Sequence, residues 1–233
     1  MNNQLDQVSK ATSLSSTYAN RSTWRAAIQL VPVVGSSIDT VLAGPGTKWQ
    51  NERLNAFLKC LEERISRIEG FENLPNLEPG EPLFDFSVSV FTSVAKTRFE
   101  EKRKQFANII AQKVVNAISW EEAELAARLV DDLTPKHVAV LLEIASAPQC
   151  SGYQNKKMVS IEPKNMELHQ SHQPKDLSCI FHNMDCGQLK YVCSELSSKG
   201  LITNQAGLYF DSGSGEMFEI SPFGEWFLLQ IHE

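Results

Sequence analysis

The residues from Thr134 onward are punctuated more tightly than any other part of the chain, and they leave few folds open. Leu133-Thr134-Pro135 is a helix start: threonine suits the N-cap, and proline suits the first helical position, where its missing N–H costs nothing. Val138, Leu141, Leu142 and Ile144 then recur at helical spacing over 136–147, up to Pro148. A second helix is predicted after Asp185 or Cys186, carried by Leu189, Val192, Cys193 and Leu196 and closing at Lys199-Gly200. Leu201-Ile202-Thr203 reads as a strand. Tyr209-Phe210 and 217–220 read as two more, joined by Ser212-Gly213-Ser214-Gly215, which has hairpin chemistry. Ser221-Pro222 opens a last helix with Phe223, Trp226, Phe227, Leu228 and Ile231. Helix, helix, strand, hairpin, helix is the order of a winged helix, so 133–233 is expected to form a winged-helix-like α+β module. The polar stretch 149–175, rich in Gln, Lys and His, is expected to be a long irregular insertion, with a short strand at 158–161.

Upstream, the spacing is helical throughout. Over 47–70 the apolar residues Leu54, Phe57, Leu58, Leu61, Ile65 and Ile68 fall on one face, with Glu62, Glu63, Arg64 and Arg67 on the other and Gly70 as a C-cap. Pro75, Pro79, Gly80 and Pro82 mark 73–82 as a linker. A single helical run is predicted over 83–117. Phe84, Val88, Phe91, Val94 and Ala95 form its first stripe, and Phe106, Ile109, Ile110, Lys113 and Val114 continue the spacing. The charged residues 98–104 between these stripes mix Glu100 and Glu101 with basic side chains, the pattern of a solvated face rather than a phosphate-binding patch. Ser119 opens a further helix with Glu121, Glu122 and Glu124 in its first turn, where acids suit the helix dipole. The fold expected is mainly α: a helical bundle over 22–132 after a polar arm at 1–21, then the winged-helix-like module.

The most apolar stretch, 24–43, has nearly the length of a membrane span but contains Arg25, Gln29, Pro32, Gly35 and Asp39. Charges at a bilayer centre cost about 2.5–3.5 kcal/mol each, and Pro and Gly interrupt a lone helix. Two short buried helices joined near Pro32 and Gly35 are expected. Insertion into a membrane on activation is the competing reading.

The formal net charge is −6. It is unevenly made: from Thr134 onward there are seven lysines against eleven acids and no arginine, all eight arginines lying earlier. Winged helices that read DNA place basic side chains against phosphates and arginine against guanine. Here the candidate recognition helix offers Lys190 and Lys199 with Glu195 beside them, so the charge argues against nucleic acid and for a protein partner. Self-association is compatible with the same reading.

The chemistry-bearing residues are sparse. His169, His172, Cys179, His182 and Cys186 cluster in sequence, and four of them would complete a tetrahedral zinc site stabilising the insertion. Their spacings match no common zinc finger, so no resident metal or other cofactor is expected, and solvated imidazoles with free thiols are the simpler account. The odd number of cysteines and the polar N-terminus, without an apolar leader core, point to a reduced cytoplasmic chain. No nucleophile elbow, phosphate-binding loop or Cys–His arrangement occurs, so no catalytic residues are named and an enzyme is not expected.

Four segments carry a resemblance: Phe106-Ala-Asn-Ile-Ile-Ala-Gln-Lys-Val, Asp132-Leu-Thr-Pro-Lys-His-Val-Ala-Val-Leu, Leu196-Ser-Ser-Lys-Gly-Leu-Ile and Ile220-Ser-Pro-Phe-Gly-Glu-Trp-Phe-Leu. Their order resembles the Abi-alpha (abortive infection) type of bacterial protein over roughly 83–231 of this chain. The stretch 149–175 runs longer than that pattern. The resemblance implies a component of a bacterial antiviral system and supplies no catalytic residues. The expected function is therefore a non-enzymatic interaction or effector component. The competing readings are a membrane-perturbing effector using 24–43 and a winged-helix DNA-binding regulator.

Overall fold

A computed structural model describes residues 47–67, 81–115, 117–150, 156–161, 174–205 and 216–232. The arm at 1–21, the apolar segment 24–43, the cap at Gly70, the strand at Tyr209-Phe210 and the turn at 212–215 lie outside these residues. The described chain is mainly helical, with seven helices and a small, chiefly antiparallel sheet. It divides into two compact units, Met1–Arg128 and Leu129–Glu233.

In the first unit, helix α1 (Thr47–Ser66) buries Leu54, Phe57, Leu61 and Ile65, the stripe expected from the spacing, against α2 (Glu81–Lys96) and α3 (Glu100–Val114). Phe57 meets Phe91 edge-on, with centroids 5.6 Å apart. Arg53 of α1 donates to the carbonyls of Ala95 and Lys96, both at 3.0 Å, supplying a cation to the α2 C-terminus. α2 begins at Glu81, inside the stretch read as linker, because a proline in the first turn forfeits no helical hydrogen bond. Its buried face is Phe86, Ser87, Val90, Phe91, Val94 and Ala95, rotated from the expected stripe, with Val88 half-buried.

The run predicted as one helix over 83–117 is two. Thr97, Arg98 and Phe99 separate α2 from α3, with Phe99 in extended conformation (φ −82°, ψ 122°). The Thr97 hydroxyl accepts the Phe99 N–H at 3.3 Å, a local bond that competes with helix continuation. The apolar spacing runs across the break, so periodicity alone misses it. Most of 98–104 is solvated, with Lys104 on Glu100 at 2.7 Å, although Lys102 is buried. At the end of α3, buried Lys113 donates to the Ile118 carbonyl at 3.1 Å and lies 4.5 Å from the centre of the Trp120 ring. Helix α4 (Trp120–Asp132) starts with reciprocal bonds between Ser119 and Glu122, at 2.7 and 3.2 Å.

In the second unit, α5 (Pro135–Ala145) and α6 (Cys186–Ser198) pack on the sheet, and α7 (Pro222–Ile231) packs on α5. The strands are β1 (Gln149–Cys150), β2 (Lys156–Ile161), β3 (Lys175–Asp176), β4 (Ile202–Asn204) and β5 (Glu216–Ile220). Their order is β1-β2-β5-β4, with β3 parallel to β2 and the remaining pairings antiparallel. The short strand expected at 158–161 is part of β2, which is central in the sheet; the stretch 149–175, otherwise read as irregular, also supplies β1. Met158, Val159, Ser160 and Ile161 are all buried, because both faces of β2 are covered. Such a strand shows no alternation and is hard to tell from a loop when polar residues flank it.

Candidate functional site

The most elaborated side-chain arrangement links the start of α5 to α6. Thr134 is extended (φ −81°, ψ 161°), which suits the residue before a helix. Its hydroxyl stands 2.7 Å from His137 Nδ1, and its N–H donates to the same nitrogen at 3.3 Å. His137 thus takes the place that Glu or Gln holds in a capping box. Across the helix pair, His137 Nε2 lies 2.6 Å from Glu195 Oε2. An ionised carboxylate only accepts, so Nε2 carries the proton and Nδ1 is left to receive both Thr134 donors. The imidazole is buried, at 5% exposure, yet both its nitrogens are satisfied.

One turn ahead of Glu195, the Tyr191 phenol bonds the same carboxylate, and that bond together with the negative charge raises its pKa above the ordinary tyrosine value. Tyr191 is 62% exposed, so a large ring stands in solvent at the edge of a groove. Hydroxyl, imidazole and carboxylate in a row also form the order of an activated nucleophile. Here Nδ1 is shared between the O–H and the N–H of Thr134, the bonding of a helix cap.

These residues border an open groove of about 460 Å³. Buried Met184 and Val192 give it an apolar part, with His137 beside them. Thr134, Lys136, Asp185, Gln188 and Tyr191 are its exposed edges. Asp185 caps α6, its Oδ1 accepting the Gln188 N–H at 2.7 Å. At Gly187 a Cβ would come 3.1 Å from that oxygen, so the cap and the groove edge are built around glycine.

Among the described residues, the lysines of this unit are nearly all committed. Lys156 pairs with Glu219 at 2.9 Å, Lys175 with Glu143 at 2.7 Å and Lys199 with Asp132 at 2.8 Å. Lys157 donates to the Ala145 carbonyl at 3.2 Å, and Lys190 also has a partner. Among the described residues of the unit, Lys136 is the lysine left without one, and it is exposed on the groove. The exposed face of α6 carries Gln188, Tyr191, Ser194 and Ser198.

Of the proposed zinc ligands, His169 and His172 lie outside the described residues. Cys179 is exposed and its thiol donates to Asp176 Oδ2 at 3.3 Å; that bond and the carboxylate charge push its pKa up. His182 is exposed, and Cys186 is half-buried at the first position of α6. Among the described residues no three His, Cys, Asp or Glu side chains gather as a metal site. Among the same residues no helix is long and apolar enough to cross a membrane.

The Thr134-Pro135 start is legible in the sequence, but the role of His137 is not, since a lone histidine in an apolar helix carries no local signal. Its partner is 58 positions away. Comparison with protein-family models, curated proteins and solved structures finds no match, so the site rests on its own geometry.

Proposed function

We propose that this chain is a non-enzymatic interaction or effector component of a bacterial antiviral system of the abortive-infection type, and that it acts in the cytoplasm. In this reading the C-terminal unit is a winged-helix-like module that binds a protein rather than DNA. The order α5, β2, α6, β4, β5, α7 with β2-β5-β4 adjacent supports the fold assignment. The resemblance of 83–231 to the Abi-alpha type supports the biological setting.

The observation that carries the choice of partner is the commitment of the lysines. A helix that reads DNA needs free cations facing the phosphates. The helix in that position, α6, exposes neutral polar groups and a tyrosine, while Lys190 and Lys199 are engaged. A tyrosine standing in solvent beside an apolar groove is a feature of protein-binding surfaces.

The test is affinity purification of the tagged full chain from bacteria with and without phage challenge, followed by mass spectrometry, alongside a gel shift on random duplex. A stoichiometric protein partner and no shift at low salt are expected. Duplex binding that weakens steeply with salt, with no protein partner, would replace this reading by a DNA-binding one.

A further inference from the structure

We infer that the groove between the starts of α5 and α6 is a peptide-binding site for a partner segment that sets an acidic residue beside an aromatic or aliphatic one. The inference rests on the protein-binding reading above and names the surface and the chemistry of its ligand.

Three features define the ligand. Lys136 is exposed on the groove edge and, among the described residues, has no ion-pair partner, in a unit whose other described lysines are engaged. It stands in the first turn of α5, whose unpaired amides add positive potential. The carboxylate among the groove's lining residues, Asp185, is turned to the α6 start, where it accepts the Gln188 N–H and makes no ion pair with Lys136. A carboxylate on the ligand therefore meets a charge that, among the described residues of the unit, has no ion-pair partner.

The second feature is the aromatic edge. Tyr191 is 62% exposed and lines the groove, one turn before Glu195 on α6, whose carboxylate lies 2.6 Å from buried His137. The ring offers an amphipathic contact surface beside the apolar part of the groove, the kind of anchor that protein-binding sites favour. The third is the apolar part formed by Met184 and Val192, in a space of about 460 Å³. That volume lies in the range of ordinary ligand sites, roughly 300–1,000 Å³, and suits a side chain with its flanking backbone. A nucleic-acid strand would also offer an anion to Lys136, but the surrounding unit is acidic and repels a polyanion.

The experiment uses the full chain, immobilised and panned against short random peptides displayed on filamentous phage. Enriched peptides are expected to combine Asp or Glu with Phe, Tyr, Trp, Leu or Ile. A synthetic peptide of that sequence, followed by fluorescence anisotropy, should bind about tenfold more weakly to the Lys136→Glu and Tyr191→Ala variants, the scale of one anchoring contact. Leu229→Ala, exposed on α7, should bind as the parent does. Panning on Lys136→Glu should shift the enriched set towards basic peptides. Both groove substitutions are at exposed positions, and matching circular dichroism melts verify folding. Enrichment without acidic residues, affinity indifferent to Lys136→Glu, or displacement of the peptide by an oligonucleotide would each overturn the inference. Capture of the same cellular partner by Lys136→Glu overturns the groove while leaving the proposed function in place. Peptide binding as described, with no partner captured from infected cells, does the reverse.

Discussion

His137 Nε2 lies 2.6 Å from Glu195 Oε2, and that single bond joins the first turn of α5 to the last turns of α6 while fixing which imidazole nitrogen is protonated. Everything else in the network follows from it. Nδ1 becomes the acceptor that caps α5 at Thr134, and the same carboxylate raises the pKa of the Tyr191 phenol one turn earlier.

Truncating the carboxylate tests that dependence. Glu195→Ala leaves the Nε2–H of a buried imidazole without its acceptor, a loss expected to cost about 1–3 kcal/mol. Urea unfolding of the parent, Glu195→Ala and Glu195→Gln measures it. Glu195→Gln keeps an oxygen acceptor and should fall between the other two. Equal midpoints for all three would mean that the bond contributes nothing to stability.

Tyr191 gives a pH signature. Its phenol is held above the ordinary value of 10.0 by the bond to Glu195 and by that carboxylate's charge. The raised value means that the folded chain keeps the proton longer than the unfolded chain. The associated stability is therefore complete below pH 10 and disappears as pH rises through the folded value. Because the ring is exposed, the contribution is small and is best read spectroscopically. In a phenolate absorbance titration, Tyr191 should ionise later in the parent than in Glu195→Gln. An unchanged curve would disprove the coupling.

Gly224 is the residue on α7 least able to accept a side chain. A Cβ there would collide with the carbonyl oxygen of Leu201 and come 3.1 Å from Ile220 Cγ1. The obstacle is backbone, so it cannot swing away. Gly224→Ala should destabilise the chain by about 1–3 kcal/mol, as overpacking generally does, despite the better helix propensity of alanine. A thermal melt at or above the parent's midpoint would refute the close approach.

The thiols should separate by environment. Burial pushes Cys193 up to about 12, with the charge of Glu216 adding to it, and burial also raises Cys150. Both should resist iodoacetamide at pH 8 in the folded chain, since the thiolate is the reacting form. Cys179 is exposed but restrained by Asp176, so Asp176→Asn should quicken its alkylation. Peptide mapping by mass spectrometry reads all three sites, and rapid labelling of folded Cys193 would contradict its burial.

The sequence is most legible where one face meets one layer. Leu54, Phe57, Leu61 and Ile65 are buried as their spacing requires, and the starts at Ser119, Thr134, Asp185 and Ser221 are where their caps place them. It fails where local and periodic signals disagree. The break at Thr97 depends on one hydroxyl and leaves the apolar rhythm untouched. The short strand expected at 158–161 is found within β2. Its pairing with β5 some sixty positions later is not visible locally, because both its faces are covered and it shows no alternation. The groove depends on His137 and Glu195 meeting across 58 positions, and nothing near either residue encodes that meeting. Local caps are visible in a sequence; contacts made by the tertiary fold are not.

The register of the sheet also sets an order of events during synthesis. β2 at Lys156–Ile161 pairs through Met158 with Glu219 and through Ile161 with Glu216, so its long antiparallel edge stays vacant until residues some sixty positions later have been made. β4 waits on the same strand, since Ile202 pairs with Ile220. Until β5 leaves the ribosome, the nascent chain carries unpaired edges and the apolar residues Met158, Val159 and Ile161 in the open. The last strand is thus the closing piece of this unit, and a chain released before it is made would be a target for chaperones or proteases rather than a shorter working protein.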